Sequence, residues 1–258
     1  MKALLSKKNS LEKWAAAFLI FLAAALPFLP LAGSVGFYRD DWHVLWAAVV
    51  QGASGIIDQH TLDRPLMGII YAGVDLILGH HPITWQLFAV SIRVFGAWVF
   101  LGLLRSIWRD QKLLTLIVAL LFVVYPGFYQ QGNAHTYQNH LLALLFGLGS
   151  IFFTIESAQA KTGLKKNILA GVSILAGLVC YMMFEWMVGL EGLRFLLLWY
   201  IHSRDGQTSF RQRLKTFLPS WLPGLGAVVI FLVWRLLFFK SARSVTDTGA
   251  LAQRFIAN

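Results

Sequence analysis

The stretch "LMGIIYAGVDLILG", residues 66–79, decides how this chain sits in a bilayer. It is apolar enough to enter hydrocarbon, but it holds only 14 residues and carries Asp75. A membrane helix needs about 20 apolar residues, within a range of roughly 17–25. If the stretch does not span, three basic groups fall on the same side as Lys2, Lys7, Lys8 and Lys13. They are Arg105, Arg109 and Lys112; Lys161, Lys165 and Lys166; and Arg204, Arg211, Arg213 and Lys215. If it did span, all three would lie outside, against the bias that keeps Lys and Arg in cytoplasmic loops. The stretch therefore reads as a re-entrant or interfacial helix on the outer side.

Composition supports the setting. Of 258 residues, 57% are apolar and 13% charged, whereas soluble domains run near 45–50% and 25%. The chain is expected to be an all-α polytopic bundle forming a single transmembrane domain, residues 1–258. About seven spans are marked by length and hydropathy: 14–32, 82–104, 113–129, 138–155, 167–184, 186–201 and 218–239. A cleaved leader ending near "LAGS" is the alternative for the first. The net charge of +10 comes in short groups between apolar runs, a topology signal rather than a nucleic-acid surface. Cys180, the single cysteine, lies in an apolar run and reads as a packing residue.

This topology places Asp40, Asp41, Asp58, Asp63, Asp75 and Glu185 outside, with six of the seven histidines. Residues 34–81 form the longest extramembrane loop, and they carry helical patterning: Trp42, Leu45, Trp46 and Val49 recur on one face. Such a helix can lie on the membrane surface with its tryptophans at headgroup depth. Asp40 and Asp41 in "YRDDWHVLW" begin it, where a helix favours negative charge. One aspartate suffices for a cap, which leaves the other for chemistry.

From "YRDDWHVLW" and "DRPLMGIIYAG", followed by "HHPITWQLFAVSIRVFGAWVFLGLLRSIW", a basic turn, "LLTLIVALLFVVYPGFYQQGNAHTYQNHLLALLFGLGSIFF" and "LAGVSILAGLVCYMMFEW", the chain resembles the GT-C superfamily of membrane glycosyltransferases. The similarity is to members of the protein mannosyltransferase and aminoarabinose transferase type. It covers this whole chain but only the first half or so of a typical member, so the carboxyl end is expected to be incomplete. The resemblance implies transfer of a sugar from a polyprenyl-phosphate donor to a glycan, lipid or protein acceptor on the outer face. It implies a multi-pass protein of a bacterial plasma membrane, amino terminus cytoplasmic, in contact with membrane lipids and not with nucleic acid. Asp40 would be the general base of an inverting reaction, and Asp41 would assist it or help bind a cation.

The further substrate-binding candidates are Arg39, Arg64, Lys240 and Arg243, since a departing lipid phosphate calls for cations, together with His43 and Glu185; Arg235 belongs with the cations. The outer loop "YPGFYQQGNAHTYQNH" lacks the carboxylate many relatives place there, so a divalent metal has little support and no metal ligands are assigned. His135 and His140 read as polar interfacial residues rather than a metal pair, and His80 and His81 as the end of a helix before Pro82. Glu191 and Arg194, i and i+3, read as a structural pair, and Glu185, with no sequence neighbour to pair with, as a cavity residue. The other readings are a non-enzymatic carrier or assembly subunit, and a polymerase or ligase of lipid-linked polysaccharide.

Overall fold

The computed structural model describes residues 2–161, 163–204 and 209–239, with side chains from residue 11 onward. Among the described residues all regular structure is helical: α1 (Lys2–Ala25), α2 (Asp41–Gln51), α3 (Ala53–Thr61), α4 (Pro65–Leu78), α5 (Pro82–Ile107), α6 (Lys112–Val123), α7 (Ala134–Gln159), α8 (Leu164–Met183), α9 (Leu190–Ser203) and α10 (Phe210–Val233). Short 3₁₀ segments follow α1, α6 and α8, and a π-helical turn, Trp234–Phe238, ends α10. Boundaries follow the sequence. Pro65 and Pro82 open α4 and α5, where a missing N–H costs nothing. Gly52 (φ 69°) and Gly79 (φ 65°) close α2 and α4 in the left-handed region that favours glycine.

Among the described residues four helices are long and apolar enough to cross a membrane: α5, α7, α8 and α10 with its π turn. A fifth arises if α6 and the 3₁₀ segment Pro126–Gly132, bent by 45°, count as one broken span. This is fewer than the seven expected, for two local reasons. In the first expected span α1 stops at Ala25 and a short 3₁₀ turn follows at Leu29–Leu31, where Pro27 and Pro30 each remove a backbone donor and disfavour the helical turn before them. Residues 186–201 divide into a 3₁₀ segment, Glu185–Gly189, and α9 of only 14 residues, about 21 Å at 1.5 Å per residue, short of the roughly 30 Å hydrocarbon core. The 14-residue α4 is an apolar helix too short to span.

Helices α5 and α7 are central, each 56% buried over its most apolar window, whereas that window of α10 is 17% buried. One cluster joins α1, α5 and α6 through Ile20, Ala24, Val94, Ala97, Ala119 and Val123. A second seats α2, α3 and α4 on α5 and α7 through Val44, Ile56, Tyr71, Trp85, Ala89 and Leu141. The break after α6 is held by Arg93 of α5, which donates to the Val123 carbonyl and to Gln131 Oε1 (2.9 Å). Its guanidinium lies 4.8 Å from the ring centres of both Phe28 and Phe128. A buried cation thus satisfies a carbonyl that the end of α6 would leave unpaired.

A second polar network ties α7, α8, α9 and α10. Arg194 Nε lies 3.0 Å from Glu191 Oε1, and its Nη groups donate to Ser150, Thr154 and Ser173. Glu191 also accepts from Tyr181 and from Trp221 Nε1 (3.3 Å). The pair expected to be structural is buried and ion-paired, as ionisable groups in apolar helices are when they are not on a functional path. Gly224 makes room for it: a Cβ there would meet Glu191 Oε2 at 2.6 Å and Arg194 Nε at 2.7 Å. Cys180 is buried and packs against Gly147.

The two ends of the bundle differ in chemistry. At one end Arg105 and Lys112 pair with Glu12, Arg109 donates to Gln159, and Arg204 donates to the Ile107 carbonyl. The basic groups between the apolar runs therefore lie together. The opposite end carries α2, α3 and α4, with the carboxylates and histidines.

Candidate functional site

The opposite end is organised by the first two turns of α7. Asp41 is 1% exposed and opens α2. Its Oδ2 accepts the Tyr38 amide (3.2 Å), reaching back as the acidic residue of a capping box does. Its Oδ1 accepts the amide (2.9 Å) and hydroxyl (2.8 Å) of Thr136 on α7. Asp41 is therefore a latch between α2 and the bundle, with its acceptor sites occupied by protein.

Asp40 differs. It occupies the N-cap position but makes no side-chain capping bond, and it is exposed. The expectation that one aspartate holds the helix is met by Asp41 rather than by a cap from Asp40. Arg39 precedes it with φ 49°, a conformation uncommon for a residue with a Cβ, and its guanidinium lies over the Tyr38 ring at 5.3 Å. The turn is bent to this shape while the Asp41 carboxylate holds Tyr38.

Beyond Asp40, α2 turns Trp42, Trp46 and Val49 outward and buries Val44, Leu45 and Ala48. His43 is exposed; its side chain, with Trp42, Trp46, Val49 and Gln59, lines a shallow groove of about 420 Å³. Gln59 Nε2 donates to the His43 carbonyl (3.1 Å), pinning α3 to α2.

Beneath α2 runs a polar chain. His80 Nε2 lies 3.3 Å from Asp75 Oδ2, and Asp75 Oδ1 lies 3.5 Å from His135 Nε2. The other ring nitrogen of His135 bonds the Tyr71 hydroxyl. The Asp75 carboxylate favours a proton on Nε2, so Nδ1 accepts from Tyr71. Burial, then the Asp41 and Asp75 carboxylates, raise the Tyr71 phenol well above its ordinary value, so it remains a neutral donor. Trp85 packs on His135 with ring centres 4.1 Å apart.

The third part is cationic. Arg64, just before α4, lies 3.5 Å from Glu185 and 3.6 Å from Asp63. Burial pushes Glu185 up, but its own backbone N–H and Arg64 prevail and hold its carboxyl below the usual range. Glu185 thus has a partner 121 positions away, not visible from its sequence neighbours. The Arg64 guanidinium lies over Phe184 (5.0 Å), Phe184 stacks on His140 (4.3 Å), and His140 stacks on Tyr137 (5.3 Å). Arg235 joins by donating to the Asp63 carbonyl (3.2 Å).

On α7, therefore, His135 belongs to the polar chain, Thr136 to the Asp41 latch, and Tyr137 and His140 to the aromatic stack that ends on Arg64. Arg39, Asp40, Asp41 and His43 share one turn, and Arg64 and Glu185 share another cluster. No hydrogen bond or ion pair among the described residues joins Asp40 to that cluster. Lys240 and Arg243 lie outside the described residues. His135 and His140 have separate partners, and among the described residues no three His, Cys, Asp or Glu side chains converge as a metal site requires.

Tyr71, Asp75 and Thr136 carry structure that sequence reading did not assign. Asp75 gave a signal, a lone carboxylate in an apolar helix with Tyr71 one turn earlier; Thr136 gave none. Comparison with known protein families finds no family model that matches the chain, and comparison with curated proteins finds no match.

Proposed function

We propose that this protein is a membrane glycosyltransferase that moves a sugar from a polyprenyl-phosphate donor to an acceptor hydroxyl at the acidic end of the bundle. The observation that carries the reading is the division of labour between adjacent carboxylates: Asp41 is consumed by Thr136 and Tyr38, while Asp40 stays exposed and uncapped. In the reaction Asp40 takes the acceptor proton as the acceptor oxygen bonds to the anomeric carbon. The carbon–phosphate oxygen bond breaks on the opposite face, inverting the centre. Arg64 is the proposed cation for the departing phosphate, and Arg235 adds a second through its bond to the neighbouring Asp63 carbonyl. A positioned base of this kind contributes about 10²–10⁴-fold.

In this reading the basic end faces the cytoplasm of a bacterial plasma membrane. The chain crosses seven times, α1 and α9 with their 3₁₀ extensions adding to the five longer units. Exposed Trp42 and Trp46 set α2 at headgroup depth, where a lipid-linked donor presents its sugar. A carrier would instead keep ionisable groups available along a mid-membrane path, and Glu191 and Arg194 are spent on each other and their neighbours. The test is Asp40→Asn in the full chain, inserted in proteoliposomes with a panel of radiolabelled polyprenyl-phosphate sugars and a membrane acceptor extract. Transfer should fall by at least about 100-fold; near-wild-type transfer in a correctly inserted protein ends the proposal.

A further inference from the structure

At the basic end, α7, α8, α9 and α10 border an open cavity of about 520 Å³ whose polar lining is Lys166, His202, Gln212, Thr216 and Ser220. The His202 ring and the Ser220 hydroxyl are hydrogen-bonded to each other on its wall (3.2 Å). A second cavity of about 410 Å³ shares Ala158, Lys166, Pro219 and Ser220 with the first, then continues along Ala170, Ile174, Leu222 and Pro223. The two are one groove, with a cation and hydroxyls at the mouth and an apolar trough running into the span. Leu222 at the trough is 60% exposed, so the groove opens sideways toward lipid. Arg109 and Arg204 line an adjoining space that shares Ile201 with the mouth, adding positive charge.

An occupant must be anionic and hydrogen-bonding at one end and a flexible hydrocarbon at the other. Free phosphate would leave the trough empty, and a neutral lipid would leave Lys166 without a counter-charge. We infer that this groove binds an anionic phospholipid, its phosphate at Lys166 and one acyl chain between α8 and α10. Lipid phosphates near basic residues gain from charge as well as from hydrogen bonds. The inference does not depend on which leaflet this end faces or on catalysis at the other end.

The test uses the full chain in a non-ionic detergent, titrated with phosphatidylglycerol or phosphatidylcholine of the same acyl chains, with adducts read by native mass spectrometry. Phosphatidylglycerol should bind in preference. Lys166→Glu should weaken that binding roughly tenfold, and Ile174→Trp, which fills the trough, should reduce it with Lys166 intact. Equal binding of the two lipids, or unchanged binding in both variants, overturns the inference. So does displacement of the lipid by millimolar inorganic phosphate, which would mark a site for a free anion. If Lys166→Glu does not fold, Lys166→Gln and Ile174→Trp decide the matter.

Discussion

Replacing Asp41 by asparagine should separate folding from chemistry in the acidic pair. The carboxylate accepts three hydrogen bonds at 1% exposure, from the Tyr38 amide and from the amide and hydroxyl of Thr136. Asparagine keeps one acceptor oxygen and turns an NH₂ toward the other donors. In its better orientation it retains both Thr136 bonds and opposes the Tyr38 N–H. One hydrogen bond to a charged group is then lost, about 1.5–3 kcal/mol. In a chain of this size 1 kcal/mol moves Tm by about 2–4 °C, so a loss on the order of 5 °C is expected by tryptophan fluorescence in detergent. Asp41→Ala, which abandons all three, should lose more. Asp40→Asn, at an exposed side chain without a cap bond, should change stability by no more than about 0.5 kcal/mol, about 1–2 °C in Tm. If Asp41→Asn matched wild type while Asp40→Asn melted early, the latch would be assigned to the wrong residue.

Other outcomes follow from the same contacts. Gly224→Ala places a methyl against Glu191 and Arg194 and should cost about 1–3 kcal/mol, whereas Gly226→Ala, with nothing within 4 Å, should be neutral or stabilising in the same melt. Arg194→Leu strands a buried carboxylate and should cost about 3–5 kcal/mol, and adding Glu191→Leu should recover much of the loss, read as a double-mutant cycle. Glu185 has its folded pKa below the ordinary value of about 4.3. Its contribution is therefore complete above that pH and is lost as pH falls through the folded value. A wild-type Tm that drops below pH 4 more steeply than that of Glu185→Gln would show it.

The helical class, the central apolar helices and the shared location of the basic loops were legible because hydropathy and charge spacing are local in sequence. Trp42, Trp46 and Val49 face outward as their periodicity required; Leu45, on the same stripe, turns inward because α2 also has a bundle to bury against. Span count was less legible. Pro27, Pro30 and the 3₁₀ turn at Glu185 shorten helices that composition alone leaves continuous. Least legible were the pairings. Arg64 with Glu185, Asp41 with Thr136 and His135 with Asp75 join residues far apart in the chain, and a single sequence carries no sign of which polar groups meet.

The Asp41–Thr136 latch also has a schedule. Its partners are 95 residues apart, and at about 5–20 residues per second the ribosome needs on the order of 5–20 s to add that interval. Throughout that time α2 exists without the helix it docks on, and Asp41 must stay hydrated at the surface. A carboxylate suits both stages: water can satisfy it while α7 is absent, and three protein hydrogen bonds satisfy it once Thr136 is in place.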